Sequence, residues 1–348
     1  MSDPITQKQL ERRLKETYTV EQQWERKGAS FSLYAPKVRG SGPRLLVKQP
    51  SRWNADNAAI AFATLNQCRE AAARRGEPHF VARPYWWGAD PPFLCVEWIE
   101  GEDLRSLIAE GLARDRASSR LFEALTAAGT LLARYHLAVT DSAVAANDGE
   151  TIDLQHRFTA VARKIAGPVA SSTEIPVRTL SDPSAGNIVI DERGRWWLID
   201  LPDRVEVRAL QWDVAKMAYR LGRAIDRASR PLAGRLTISY GVVFDAVRTG
   251  YASQLPSVLG SEPSIGLFYS FLACEATRRL ARPPTVRGKL ALGTMTARMV
   301  GRSLVAVGRA RVASASSEPM PHTAGAQFGL GSTAPTPTRQ NGAPPRRR

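Results

Sequence analysis

Cysteine and histidine are scarce in this chain, three and four residues respectively out of 348. Cys68, Cys95 and Cys274 lie far apart with no C-x-x-C pair. That excludes a disulfide framework and a zinc site and fits a reducing, cytoplasmic setting. No apolar run approaches the roughly 18 residues of a membrane-spanning helix. The opening MSDPITQKQLERRLKE is polar and charged, so no signal peptide is expected. Negative charge is also short: 33 acidic residues face 48 basic ones, a net +15. Such a balance suits an anionic partner such as a nucleotide, nucleic acid, phosphosugar or membrane, although an arginine-rich coding bias produces the same figure. What is present in quantity is apolar: 43% hydrophobic residues suffice for a sizeable core, and the length fits a two-lobed unit or two domains.

The stretch Leu180 to Asp203, LSDPSAGNIVIDERGRWWLIDLPD, organises the rest. It places Asp182, then Asn187 five residues later, then Asp200 thirteen beyond that. Two apolar segments, Ile188 to Ile190 and Trp196 to Ile199, flank the turn Asp191-Glu192-Arg193-Gly194, the pattern of a β-hairpin. A hairpin brings Asp200 back to where Asn187 left, so both face one cavity with Asp182 on the loop before them. Two oxygen ligands and a further carboxylate suit Mg²⁺, which draws its other ligands from water and substrate phosphates. An ordinary hairpin with surface carboxylates is the plainer alternative.

D-x-x-x-x-N followed by a hairpin and a second Asp resembles the catalytic loop and metal-binding motif of the protein-kinase-like fold. The wording PSAGNIVID…WLID is closest to the aminoglycoside phosphotransferase, choline kinase and lipopolysaccharide kinase branch. The resemblance implies an α+β, two-lobed fold with a small β-rich N-lobe and a larger helical C-lobe, binding ATP and Mg²⁺. It implies Asp182 as catalytic base, Asn187 and Asp200 as metal ligands, and phosphoryl transfer to a hydroxyl of a small molecule, sugar or glycolipid. The family's loop histidine is Leu180 here and its Gly or Arg is Ser181. That departure supports an alternative, an inactive pseudokinase acting as a nucleotide-binding or scaffold protein. The expected organisation is an N-terminal helix over 1–17, an N-lobe over 18–98, a C-lobe over 99–312 and a disordered tail over 313–348.

Taken in order, residues 4–16 read as an amphipathic helix with Asp3 as N-cap and Pro4 in its first turn. Strands follow at Tyr18 to Trp24, Phe31 to Tyr34 and Leu45 to Lys48. The first turn, with Gly28 and Ser30, occupies the place of the family's phosphate-covering loop, though any hairpin turn favours glycine. Lys48 resembles the family's phosphate-gripping lysine. Glu70, on a helix from Ala55 to Arg74, is its candidate carboxylate partner, or else pairs with Arg74 on a solvated face. Two strands in 80–100 lead into Glu97-Trp98-Ile99-Glu100-Gly101, which resembles the inter-lobe hinge whose backbone at Glu97 and Ile99 would read adenine. Trp86, Trp87 and Trp98 are read as packing.

Helical spacing then runs from Leu104 and from Leu121 to Ala138. His136 is read as a core or loop-bracing histidine, and His156, on a helix over 154–165, as a surface residue. Asp213, at a helix start, resembles the family's loop-bracing carboxylate or is a plain N-cap. Only thirteen residues separate it from Asp200, with no A-P-E between, which argues against a polypeptide substrate. Further helices are expected over 234–282. From Cys274 to Val312 nine basic residues face Glu275 alone. This basic amphipathic stretch, 278–311, can lie on an anionic membrane or pack its apolar stripe on the lobe with arginines in water. No motif supports nucleic-acid binding.

Overall fold

The computed structural model describes residues 3–26, 28–113, 117–143, 176–180, 182–229, 240–255, 268 and 271–272. The chain is α+β, with a sheet-rich N-terminal part and a helical C-terminal part. Helix α1 is Gln7–Thr17 and begins later than expected from Asp3 and Pro4. Thr6 is the N-cap: its hydroxyl accepts the Gln9 N–H at 3.2 Å while the Gln9 side chain accepts the Thr6 N–H at 2.7 Å. A reciprocal capping box satisfies two orphan donors at once, which a carboxylate placed before a proline does not.

Strands β1 (Tyr18–Arg26), β2 (Ala29–Pro36), β3 (Leu45–Pro50), β4 (Pro84–Ala89) and β5 (Pro92–Glu97) form one antiparallel sheet in the order β1-β2-β3-β5-β4. Side chains alternate across it. Phe93 and Cys95 meet Leu10 and Leu14 of α1 on one face, while Leu94 and Val96 meet Phe62 and Leu65 of α2 (Ala55–Arg74) on the other. Burial pushes the Cys68 thiol up to about 12 and that of Cys95 higher still, so both behave as small apolar residues.

Two- and three-residue strands follow: β6 (Glu102–Asp103), β7 (Pro176–Arg178), β8 (Ile188–Ile190), β9 (Trp196–Leu198) and β10 (Val207–Ala209). They make a three-stranded ribbon, β6-β8-β9, and a pair, β10-β7. Helices α3 (Leu104–Ala113), α4 (Ala117–Ala143), α5 (Leu210–Ser229) and α6 (Tyr240–Gln254) complete the described part. Helices α4 and α6 approach at glycines: a Cβ on Gly129 would overlap the Val247 carbonyl, and one on Gly250 the Thr126 carbonyl.

The two halves are stitched near the hairpin. Val81 bridges Leu198 in parallel, and the Leu198 N–H donates to Phe80 O at 2.8 Å. Helix α2 is bonded to C-terminal elements at three levels: Asn57 Nδ2 to Asp203 O at 2.8 Å, Arg178 Nη2 to Thr64 Oγ1 at 2.7 Å, and Gln67 Nε2 to Ala138 O at 3.0 Å. Among the described residues no helix is long and apolar enough to cross a membrane. The expected helix with His156, the basic stretch 278–311 and the tail 313–348 lie outside the described residues, as does most of 234–282.

Candidate active site

The hairpin forms as its sequence requires. Ile188 pairs with Leu198 and Ile190 with Trp196, and Gly194 closes the turn at a positive φ of 75° that glycine adopts without strain. Asp191 holds the turn. Its carboxylate accepts the Arg193 and Arg195 N–H groups at 3.0 and 2.9 Å and the Trp197 indole at 3.0 Å. Burial raises its pKa, but the hydrogen bonds from Arg195 and Trp197 outweigh that and leave it below the ordinary carboxylate value. The ladder ends with the Ile199 N–H donating to Asn187 O at 3.0 Å, which sets Asn187 beside Asp200.

Four polar residues meet there. Lys48 Nζ, from within β3, pairs with Asp200 Oδ1. Asn187 Nδ2 donates to Asp182 O at 3.0 Å and lies 3.5 Å from Asp200 Oδ2. Asp182 Oδ1 receives Arg220 Nη1 from α5. The side chains remain open to solvent, 21% for Lys48, 40% for Asp200 and 50% for Asp182, as a site that admits a ligand requires.

The donor set suits a hard cation. The Asp200 carboxylate and the Asn187 amide supply two oxygens on neighbouring side chains, while among the described residues no cluster of three or more His, Cys, Asp or Glu could hold a metal alone. Mg²⁺ held by so few protein oxygens needs phosphate oxygens to complete its shell.

The loop before Asp182 is braced from beneath. Asp213, fully buried in the first turn of α5, accepts the Leu180 N–H at 2.7 Å. His136 of α4, also buried, sits between Asp213 Oδ2 at 3.1 Å and the Tyr251 hydroxyl at 2.8 Å. Helix α5 begins at Leu210, so Asp213 lies inside the helix rather than at its N-cap. A buried imidazole from α4 thus belongs to the same hydrogen-bond network as the Leu180 N–H. Leu180 itself is 1% exposed and belongs to the core.

The structure does not pair Lys48 with Glu70. Glu70 is 70% exposed and lies 4.0 Å from Arg74 on the outer face of α2, the alternative weighed from its i,i+4 spacing. Lys48 instead has Asp200 and, 5.1 Å from Nζ, the ring of Trp53. The Trp53 indole N–H donates to Asp203 Oδ2 at 2.6 Å, tying the start of α2 to the segment after Asp200. Sequence reasoning missed Trp53, Asp203 and Arg220. The available signals were a tryptophan just past the Lys48 strand, a second carboxylate three residues after Asp200, and an arginine two helical turns past Asp213.

At the hinge, the Glu97 N–H donates to Arg83 O and the Trp98 N–H to Arg44 O, both at 2.8 Å. Trp98 packs edge-on to Trp24, and Trp87 against Phe62, as packing residues do. Acidic side chains nearby are engaged: Glu100 with Arg44, Glu102 with Arg120, and Asp103 with the Ser106 N–H at the start of α3. Gly28, in the β1–β2 turn with a φ of 74°, and Ser30, the second residue of β2, are both exposed. Gly28 O accepts the Ser51 N–H at 2.7 Å and Phe31 pairs with Lys48, so this turn lies at the Lys48 end of β3.

No family model matches the chain, and no curated protein matches it. Solved structures do. A spectinomycin phosphotransferase in complex with ADP and spectinomycin matches over 87% of this chain and 99% of that one, at 10% identity and a TM-score of 0.42. A choline kinase from Cryptosporidium parvum matches over 87% and 94%, at 9% identity and a TM-score of 0.42. A choline kinase from Streptococcus pneumoniae matches over 84% and 98%, at 10% identity and a TM-score of 0.36. At these identities and TM-scores no residue's role is taken from them.

Proposed function

We propose that this chain is an ATP-dependent phosphotransferase that moves the γ-phosphoryl of Mg-ATP onto a hydroxyl of a small molecule, sugar or glycolipid. The observation that carries the reading is the meeting of Lys48, from β3, with Asp182, Asn187 and Asp200, from the stretch around the hairpin, at one solvent-open point. In the ligand-free state Lys48 and Asp200 neutralise each other. With nucleotide bound, Lys48 turns to the phosphates, and Asp200 with Asn187 holds Mg²⁺, which would neutralise charge on the phosphate oxygens. Asp182 orients the acceptor hydroxyl and takes its proton. Catalysis of this kind is largely positioning and electrostatics, so few residues suffice.

Around that centre, Gly28 and Ser30 of the β1–β2 turn would cover the phosphates. Ile99 is the hinge position assigned to the adenine edge, because the Glu97 and Trp98 N–H groups already serve the sheet; Glu97 would contribute through its carbonyl. Glu70 is given no nucleotide role. His136 and Asp213 hold the loop bearing Asp182 in place. The buried His136–Asp213–Leu180 chain of hydrogen bonds supports an active enzyme over a pseudokinase, because it supplies the bracing that Leu180 cannot.

The test is Mg-ATP binding and ADP release by wild type, Asp182→Asn and Asp200→Ala, with a metabolite extract as acceptor source. ADP release that both substitutions abolish, with Asp182→Asn still binding nucleotide, is the expected result. Nucleotide binding with no turnover in any extract would select the pseudokinase.

A further inference from the structure

We infer that Trp53 is the positioning residue for Lys48, steadying its ammonium on an aromatic face in place of the carboxylate partner expected at Glu70; this rests on the nucleotide site of the phosphotransferase reading above. That reading asks two things of Lys48. It must release Asp200 to a cation, and it must stay aimed at the phosphates after the release. An ammonium on a flexible four-carbon stem loses its aim when its one anchor leaves. Glu70 offers no second anchor, because it is 70% exposed beside Arg74. Once the ion pair with Asp200 opens, the partner left to Lys48 among the described residues is the ring of Trp53, 5.1 Å from Nζ.

Trp53 is held from both sides of the site. Its backbone N–H donates to Pro50 O at 3.0 Å, in the turn that leaves β3, so the ring is tied to the strand that carries Lys48. It directly precedes Asn54, the N-cap of α2, and is only 9% exposed. On the other side its indole N–H donates to Asp203 Oδ2 at 2.6 Å, while Asn57 Nδ2 holds Asp203 O at 2.8 Å. The ring therefore bridges the strand that bears Lys48 and the segment that follows Asp200.

The two contacts of the ring reinforce each other. A cation over the face draws electron density from the indole and makes its N–H a stronger donor. Donation to a carboxylate returns density to the face, which then attracts the cation more strongly. The ring itself carries no charge, so it steadies the ammonium without neutralising it. A carboxylate in the same place would steady Lys48 and also offset the charge that the phosphates need.

The experiment is Mg-ATP binding, measured by calorimetry, to the full chain carrying Trp53→Phe or Trp53→Leu, each with Lys48 and with Lys48→Met. Both substitutions at position 53 delete the donor to Asp203, and they differ in the aromatic face. Their comparison isolates that face. With Lys48 present, W53L should bind Mg-ATP about fivefold more weakly than W53F. With K48M in place that difference should vanish, because the face then has no cation to hold. A merely structural role would weaken binding alike in both backgrounds. A difference that persists with K48M, or W53F and W53L that bind alike with Lys48, overturns the inference and leaves the phosphotransferase reading standing. If W53L does not fold, W53M takes its place in the cycle. The cycle reads binding and is separate from turnover: the expected pattern with no ADP release from any extract keeps Trp53 as the holder of Lys48 and removes the phosphotransferase reading. A wild type that does not bind Mg-ATP removes both.

Discussion

Two cations border the site, and they are held in different ways. Lys48 stands within β3, against the face of Trp53, whose indole N–H donates to Asp203. Arg220 projects from a helix whose first turn is anchored by a fully buried carboxylate. A lysine on a four-carbon stem can leave Asp200 for a phosphate at the cost of one partly exposed ion pair. A guanidinium on a helix locked two turns earlier stays where it is. On the proposed reading the Lys48 side would yield to a ligand, and the Arg220 side would keep its place.

The sharpest way to break that contrast is to remove a charge on the yielding side. Asp200→Ala should lower turnover by about a thousandfold or more in an ADP-release assay, because it removes the carboxylate that would hold Mg²⁺ against the phosphates. On the fixed side the first loss should be in the fold itself. Asp213→Ala orphans the Leu180 N–H and takes one partner from the His136 imidazole in a dry core, and thermal or urea unfolding should show a loss of about 3 kcal/mol.

Trp53→Phe keeps an aromatic face for Lys48 but deletes the donor to Asp203. Nucleotide Kd should rise about three- to tenfold with the melting temperature little changed, and an equal loss of both would erase the distinction between the sides. A smaller effect belongs to the hairpin. The Asp191 pKa is depressed by folding, so its contribution to stability is present above its ordinary value of 3.8 and is lost as pH falls through the lower folded value. Unfolding measured across that acid window should show wild type losing more stability than Asp191→Ala. Last, Glu70→Ala should change stability by no more than about 0.5 kcal/mol and leave nucleotide Kd unaltered, as suits an exposed i,i+4 pair.

The part of the site that reads directly from sequence is the part whose members are close in the chain. Asp182, Asn187 and Asp200 fall within one hairpin, and the spacing alone sets their meeting. Lys48 followed from its place at the end of an apolar strand. Its neighbours did not, because Trp53–Asp203 and Lys48–Asp200 each join residues about 150 positions apart, and helical spacing says which side chains share a face, not what the face meets. Glu70 was chosen as the carboxylate beyond the helix's first turn, and the orientation of α2 turned it outward. Strands β6, β7 and β10 are too short for alternation to mark them. The contact of His136 with Asp213, and through it with the Leu180 N–H, joins residues on separate helices and a loop, which local spacing does not reveal.

The three bonds along α2 also decide which parts of the molecule travel together. A helix fastened to C-terminal elements at Asn57, Thr64 and Gln67 moves with them, although it follows β3 in the chain and packs on the sheet. The outer ribbon of β1 and β2 is tied instead through the pairing of β2 with β3, and its first strand is exposed along most of its length. On the phosphotransferase reading a nucleotide would pass beneath this ribbon, as under an awning over a fixed counter.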